Sequence, residues 1–173
     1  MELRFIPPDL PSLDSLDAEI LACPVWSDDR PSHGVAGLCD FRLAGTISEL
    51  QRRGFVTGEL GETVMLPGKP RLSYDKLILF GSGPRASFSL GIYQAVIERM
   101  LVTLENLQAR GGVVELPGRA DELIPAEQAA DILLAAAGRE REHALWILVE
   151  GGDAKQRIVQ HMIEERRRVR RVL

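Results

Sequence analysis

The stretch whose reading decides the fold runs from Asp40 to Gly83: DFRLAGTISELQRRGFVTGELGETVMLPGKPRLSYDKLILFGSG. Leu43, Ile47 and Leu50 recur at helical spacing, and Gly54 stands where a glycine closes a helix C-terminus. Thr63 to Leu66 and Lys76 to Phe80 read as strands, parted by the turn residues Pro67-Gly68-Lys69-Pro70. The apolar run Leu77-Ile78-Leu79-Phe80 then opens into Gly81-Ser82-Gly83, so a helix, two strands and a glycine-rich turn follow one another in little more than forty residues.

Outward from this stretch the same alternation continues. Upstream, Leu3 to Ile6 and Ile20 to Val25 are candidate strands, joined by a Pro- and Asp-rich loop from Pro7 to Asp17. Downstream, Tyr93, Val96, Ile97, Met100, Leu101, Leu104 and Leu107 form one broad apolar stripe. They predict a helix from about Leu90 to Gln108, with Ser87 or Ser89 as N-cap and Gly111-Gly112 as its stop. Val113 to Leu116 reads as a strand. Pro125 suits the first turn of a helix carrying Ala129, Ala130, Leu133, Leu134 and Ala137 and ending at Gly138. Leu145 to Val149 has the continuous apolar character of a buried strand, and Asp153 is placed to cap a last helix running to the C-terminus. Strands alternating with helices predict a three-layer α/β domain, a mostly parallel sheet flanked by helices. The two opening strands show no helix between them, which predicts a mixed sheet.

The deciding stretch also carries a family resemblance. From Asp40 through Gly54-Phe55, Gly58, Gly61-Glu62-Thr63 and Leu66-Pro67-Gly68, and again from Asp75 to Gly83, it resembles the N-terminal domain of the leucyl aminopeptidase family, the M17 metallopeptidases. That domain has a macro-domain-like fold. The resemblance implies a single macro-domain-like domain over residues 1–173. In that family the chemistry sits in a separate C-terminal domain with two metal ions, lysine, aspartate and glutamate ligands and an Asn-Thr-Asp-Ala-Glu-Gly-Arg-Leu-type motif. None of these motifs occurs in the 173 residues. The expectation is therefore a module without peptidase activity, catalytic residues, metal or cofactor. Its role would be protein interaction, through self-association or docking onto a full-length peptidase or another partner.

Composition narrows the classes further. The chain is 45% apolar and 27% charged, as in ordinary globular proteins, and only 5% aromatic, so stacking platforms for bases or sugars are scarce. The start, Met1-Glu2-Leu3-Arg4-Phe5-Ile6-Pro7-Pro8, lacks the basic and apolar regions of a secretory signal, and no apolar run approaches the ~20 residues of a membrane helix. A cytoplasmic location is expected. Cys23 and Cys39 are too few for a disulfide framework and suit small buried side chains. A net charge of −4 argues against a whole-protein preference for nucleic acid.

Three glycine clusters could meet a ligand. Gly34, Val35, Ala36 and Gly37 precede the first predicted helix, where backbone amides can cradle phosphate, or where a surface turn simply leads into the helix. The cluster resembles the Gly-Val-Ala-Gly loop by which macro domains hold ADP-ribose. Ser32-His33 stands where that family carries an asparagine and further glycines, and Asp17 is a poor match to its adenine-binding aspartate. Gly81, Ser82 and Gly83 with Pro84-Arg85-Ala86 formally fit G-x-G-x-x-G/A after a strand. The proline stiffens that turn, and no acidic residue ends a second strand about 20 residues on. Arg85 could neutralise a phosphate or a partner's carboxylate, or stand solvated. Glu150-Gly151-Gly152-Asp153 falls where open α/β sheets place ligands, but its carboxylates oppose phosphate, and it reads as a disabled loop. A nucleotide-like ligand such as ADP-ribose, held across residues 34–37 and 81–83, is the alternative to protein interaction.

Catalytic constellations are weak. His33, His143 and His161 lie far apart, Cys23, His33 and Cys39 lack zinc-site spacing, and no G-x-S-x-G elbow accompanies the serines. The last predicted helix holds Arg166, Arg167, Arg168, Arg170 and Arg171 after Glu164-Glu165. Glu164 and Arg168 stand four apart, so this charge is partly self-neutralised, and cations suit a helix C-terminus. The functional alternative is a basic arm that docks an acidic partner or nucleic acid. Ile158, Met162, Val169 and Leu173 leave that helix a face to bury.

Overall fold

A computed structural model describes residues 2–109, 111–138 and 145–172, with side chains up to residue 164. The strands are β1 (Glu2–Ile6), β2 (Ala18–Val25), β3 (Thr63–Pro67), β4 (Tyr74–Gly81), β5 (Gly111–Val114) and β6 (Leu145–Val149). The helices are α1 (Leu10–Asp14), α2 (Gly34–Arg42), α3 (Thr46–Arg52), α4 (Leu90–Asn106), α5 (Ala126–Ala137) and α6 (Gly152–Val172). The strands form one sheet in the order β1-β6-β5-β2-β4-β3.

The period of two along the central strands sorts the core into two layers. Ile20 and Ala22 of β2 and Ile78 and Phe80 of β4 face α4 and α5, where they meet Tyr93, Ile97, Met100, Leu104 and Leu133. Leu21, Cys23 and Val25 with Leu77 and Leu79 face α1, α2 and α3 and pack on Leu13, Val35, Ala36, Cys39 and Ile47. Each such fully buried aliphatic side chain contributes about 1.5–3 kcal/mol of transfer free energy. Two buried tyrosines tie neighbouring elements through their hydroxyls: Tyr93 of α4 donates to the Ala129 carbonyl of α5 at 2.7 Å, and Tyr74 of β4 donates to the Leu13 carbonyl of α1 at 2.8 Å. Desolvation pushes both phenols well above their ordinary pKa.

The sheet is mixed, but not for the reason that the sequence suggested. A short helix, α1, does lie between β1 and β2, capped by Asp9, whose carboxylate accepts the Ser12 amide at 2.8 Å. The opening strands are not neighbours either: β1 pairs parallel with β6, and β2 lies between β5 and β4. The antiparallel partner is β3, which forms a hairpin with β4 at the sheet edge.

Other elements differ in their bounds or caps. The single helix expected around Leu43 is two, α2 and α3, parted where Ala44 and Gly45 take φ of +55° and +81°. Thus residues 34–37 are the first turn of α2, not a loop before the first helix; the glycines masked a helix that tertiary packing of Val35, Ala36 and Cys39 makes worthwhile. Strand β5 begins at Gly111 and ends at Val114, although the Glu115 amide still donates to Ala22 O at 3.0 Å. Pro125 sits at the N-cap position of α5, and Asp153 lies inside the first turn of α6 rather than capping it. The expected cap of α4 is found at Ser89, which accepts the Ile92 amide.

Helix α6 docks on α5 through Ala154 and Ile158 against Ala126 and Ala130, with Phe5 of β1 and Met162 alongside. Among the described residues no helix is long and apolar enough to cross a membrane.

Candidate functional site

A parallel sheet gathers its carboxyl ends on one side, and a cleft of about 710 Å³ opens there. It is bounded by Gly34 at the start of α2, Glu115 and Arg119 beyond β5, Asp121 in the following turn, and the residues from Val149 to Ala154 that lead from β6 into α6.

Glu115 is 4% exposed and stands at the floor of the cleft. Its two carboxyl oxygens accept the Val35 amide at 3.1 Å each, at the amino end of α2. A Cβ on Gly34, whose φ is +59°, would lie 2.5 Å from Glu115 Oε1, so the approach requires the absence of a side chain at residue 34. Burial raises the Glu115 pKa to about 8, with Asp121 and Glu150 adding to the rise and the Val35 amide opposing it.

Arg119 and Glu150 close the back of the cleft. Arg119 Nε and one terminal nitrogen donate to the two Glu150 oxygens at 2.8 and 3.1 Å, and its other terminal nitrogen donates to the Ile124 carbonyl at 2.6 Å. The loop after β6 therefore presents its glutamate to an arginine of the same chain.

A second network lies at the mouth. His33 Nδ1 stands 2.5 Å from Asp29 Oδ1, and the His33 amide donates to Asp29 Oδ2 at 3.0 Å. Arg85 bridges this buried carboxylate to Asp121, at 3.0 Å to each, with its guanidinium 5.7 Å from the centre of the Trp26 ring. The Arg85 amide donates to the Asp28 carboxylate. Arg85 is thus a bridging residue with three acidic neighbours.

The glycine clusters of the sequence do not form one seat. Gly34 lines the cleft, and the Val35 amide is held by Glu115. Ala36 is buried in the core, and a Cβ on Gly37 would lie 2.4 Å from Ser32 O. The amides of Gly81, Ser82 and Gly83 donate to the carbonyls of Glu62, Val25 and Gly58, all at 2.9 Å, and these three residues are outside the cleft lining. Gly81 is a packing glycine: a Cβ there would lie 2.0 Å from Glu59 O.

Of the other sequence candidates, His161 is bonded to Asp131 at 2.7 Å, away from the cleft, and His143 is outside the described residues. Cys23 and Cys39 are free and buried, with desolvation raising both thiols, Cys39 to about 12. Arg166, Arg167, Arg168, Arg170 and Arg171 belong to α6, but their side chains lie outside the described residues. Among the described residues no group of three or more His, Cys, Asp or Glu side chains is arranged to hold a metal ion.

Sequence reasoning passed over Asp29, Glu115, Arg119 and Asp121. Glu115 left one signal, a lone carboxylate in the apolar run Val113-Val114-Glu115-Leu116.

Residues 23–140 match the N-terminal domain of the cytosol aminopeptidase family. A probable cytosol aminopeptidase of Halorhodospira halophila is 32% identical over 73 residues, which are 42% of this chain and 15% of that protein. The chain thus aligns with a small fraction of its relative's length. Tomato leucine aminopeptidase, in a K354E mutant structure, superposes with a TM-score of 0.62 at 17% identity, over 94% of this chain and 35% of that one. The macrodomain of Mycobacterium tuberculosis DarG superposes with a TM-score of 0.67 at 18% identity, over 87% of this chain and 99% of that one. The fold is macrodomain-like, and the chain belongs to the cytosol aminopeptidase family by its N-terminal domain.

Proposed function

We propose that this chain is a non-catalytic module for protein association, its partner being a second copy of itself or a cytosol aminopeptidase. The observation that carries this reading is the exposure of two phenylalanines in a chain poor in aromatics. Phe41, near the end of α2, is 71% exposed, and Phe55, just past α3, is 63% exposed. Arg42 lies 6.0 Å from the centre of the Phe41 ring, and Arg52 and Arg53 stand between the phenylalanines in sequence. Aromatic and arginine side chains are enriched at protein interfaces relative to the rest of the surface.

Light scattering over a wide concentration range, with and without a full-length cytosol aminopeptidase, tests this. Association that weakens at least tenfold in a Phe41→Ser/Phe55→Ser variant is expected. A strict monomer that binds no aminopeptidase would remove the reading. Measurable hydrolysis of leucine amide by pure protein with manganese or zinc would overturn the non-catalytic part.

A second reading, a module for a nucleotide-like ligand such as ADP-ribose, is favoured by the macrodomain-like fold and by the size and place of the cleft, and opposed by its acidic lining. The cleft's volume lies in the ordinary range for small-molecule sites, and it occupies the carboxyl ends of the strands. Calorimetry with ADP-ribose separates the two readings.

A further inference from the structure

We infer that Glu115 is an internal occupant of the amide seat at the amino end of α2, and that it sets the cleft against anionic ligands. The first support is geometric. Both carboxyl oxygens lie 3.1 Å from the Val35 nitrogen, which is where an anionic oxygen of a ligand would bond to this helix end.

The second support is that the occupant is built in. Its own amide is tied to Ala22 O in the middle of β2, its side chain is almost wholly buried, and the glycine at residue 34 provides the space it fills. Val35 itself is fully buried against the sheet, so this turn of α2 is held in place.

The third support is the charge around the seat. The cleft is also lined by Asp121, Glu122, Glu150 and Asp153. Of its two arginines, Arg119 is held by the buried Glu150 carboxylate, and Arg157, half-exposed, stands 3.6 Å from Glu127. His33 at the mouth is backed by Asp29. An entering diphosphate would have to displace Glu115 and would meet Asp121, Glu122, Glu150 and Asp153, with Arg119 already held by Glu150. The ligand class that this cleft admits is uncharged or cationic.

The test is calorimetry with inorganic pyrophosphate at neutral pH on the full chain, comparing wild type, Glu115→Ala and Glu115→Gln. Glutamine keeps the shape and can still accept the Val35 amide, so it leaves the seat filled. Binding in Glu115→Ala at least tenfold tighter than in wild type, with Glu115→Gln as weak as wild type, is the expected result. Equal binding by wild type and Glu115→Ala overturns the inference, as does no gain in Glu115→Ala. A gain in Glu115→Gln as large as in Glu115→Ala shows that charge and not occupancy excludes the anion, and also overturns it.

Should Glu115→Ala fail to fold, NMR of the Val35 amide decides. Its shift follows carboxyl titration in wild type and not in Glu115→Gln if Glu115 holds it, and a pH-independent Val35 shift in wild type overturns the inference. None of these readouts depends on Phe41 or Phe55, so failure of the association reading leaves them intact.

Discussion

Arg119 and Glu150 face each other in a two-point ion pair whose side chains are each only 4% exposed. Arg119 comes from the turn after β5 and Glu150 from the end of β6, so the pair clamps the back wall of the cleft. The attraction between such charges is offset by the cost of taking both out of water, and removing one partner leaves the other buried alone. Arg119→Met is therefore expected to cost about 3–5 kcal/mol. Arg119→Met/Glu150→Leu should recover most of that loss. Urea unfolding of the three proteins checks this, and a double variant no more stable than the single one would show that the Ile124 carbonyl, not Glu150, is the partner that matters.

Glu115 makes stability depend on pH. Its pKa is about 8 in the folded chain against an ordinary 4.5, raised first by burial and then by Asp121 and Glu150. Below about pH 4.5 the carboxyl is neutral in both states. Between 4.5 and 8 the unfolded chain gives up the proton while the folded chain keeps it, so stability falls as pH rises through this window. Above 8 the decline ends. The charged groups that line the cleft with it include Arg119 beside Glu150, Asp121, and His33 with Asp29 at the mouth, and its own charge helps to raise the thiols of Cys23 and Cys39. Glu115→Gln should flatten this part of the pH profile and be at least as stable as wild type above pH 7. Thermal melts at about pH 5 and about pH 9 read the difference, with each kcal/mol moving Tm by about 2–4 °C in a domain of this size. Parallel profiles would show that Glu115 is solvated in solution.

Gly37 is expected to behave as a packing residue rather than a ligand residue. In a helix interior, alanine is normally preferred over glycine by about 0.5–1 kcal/mol. Here the added Cβ would lie 2.4 Å from a backbone carbonyl, that of Ser32, which cannot swing aside as a flexible side chain would. Gly37→Ala should therefore destabilise by about 1–3 kcal/mol despite the helix preference. Gly45→Ala is the contrast: a Cβ there meets open space, and the cost, about 1 kcal/mol, comes from its φ of +81° alone. Thermal melts of both variants check the order. A gain in stability for Gly37→Ala would mean that α2 sits further from Ser32 than described.

How much of this was legible follows from what local sequence encodes. Periodicity located α4, α5 and β6 because their stripes and caps are local, as with Ser89 at the head of α4. The resemblance to the aminopeptidase N-terminal domain rests on the run from Asp40 to Gly83, which lies inside the matched region. Helix α2 escaped notice because two glycines in its first turn lower its intrinsic preference, while the packing of Val35, Ala36 and Cys39 that sustains it comes from distant strands. The cleft was invisible for a similar reason. Val35 and Glu115 are eighty residues apart and Arg85 and Asp121 thirty-six, and nothing local announces that either pair meets. Glycines that could have exposed amides to a ligand prove instead to allow close backbone packing, as at Gly81 beside Glu59.

The arginine-rich end of α6 should contribute to partner binding and not to folding. The helix runs from Gly152 to Val172, and its described docking residues, Ala154, Ile158 and Met162, all precede Arg166. Solvated charges on a helix surface are worth well under ~1 kcal/mol each to stability. Replacing Arg167, Arg168, Arg170 and Arg171 by glutamine should leave Tm nearly unchanged. It also makes the chain more acidic, so an acidic partner should bind the variant less tightly, with a weaker dependence on salt, since fewer ionic contacts form and fewer counterions are released on binding. Light scattering with the aminopeptidase at low and high salt, beside a fluorescence titration with a short DNA duplex, separates a protein partner from a nucleic acid. A large fall in Tm in the variant would show that the arginine stems pack against the domain, and the basic end would then be a structural extension of α6 rather than a docking arm.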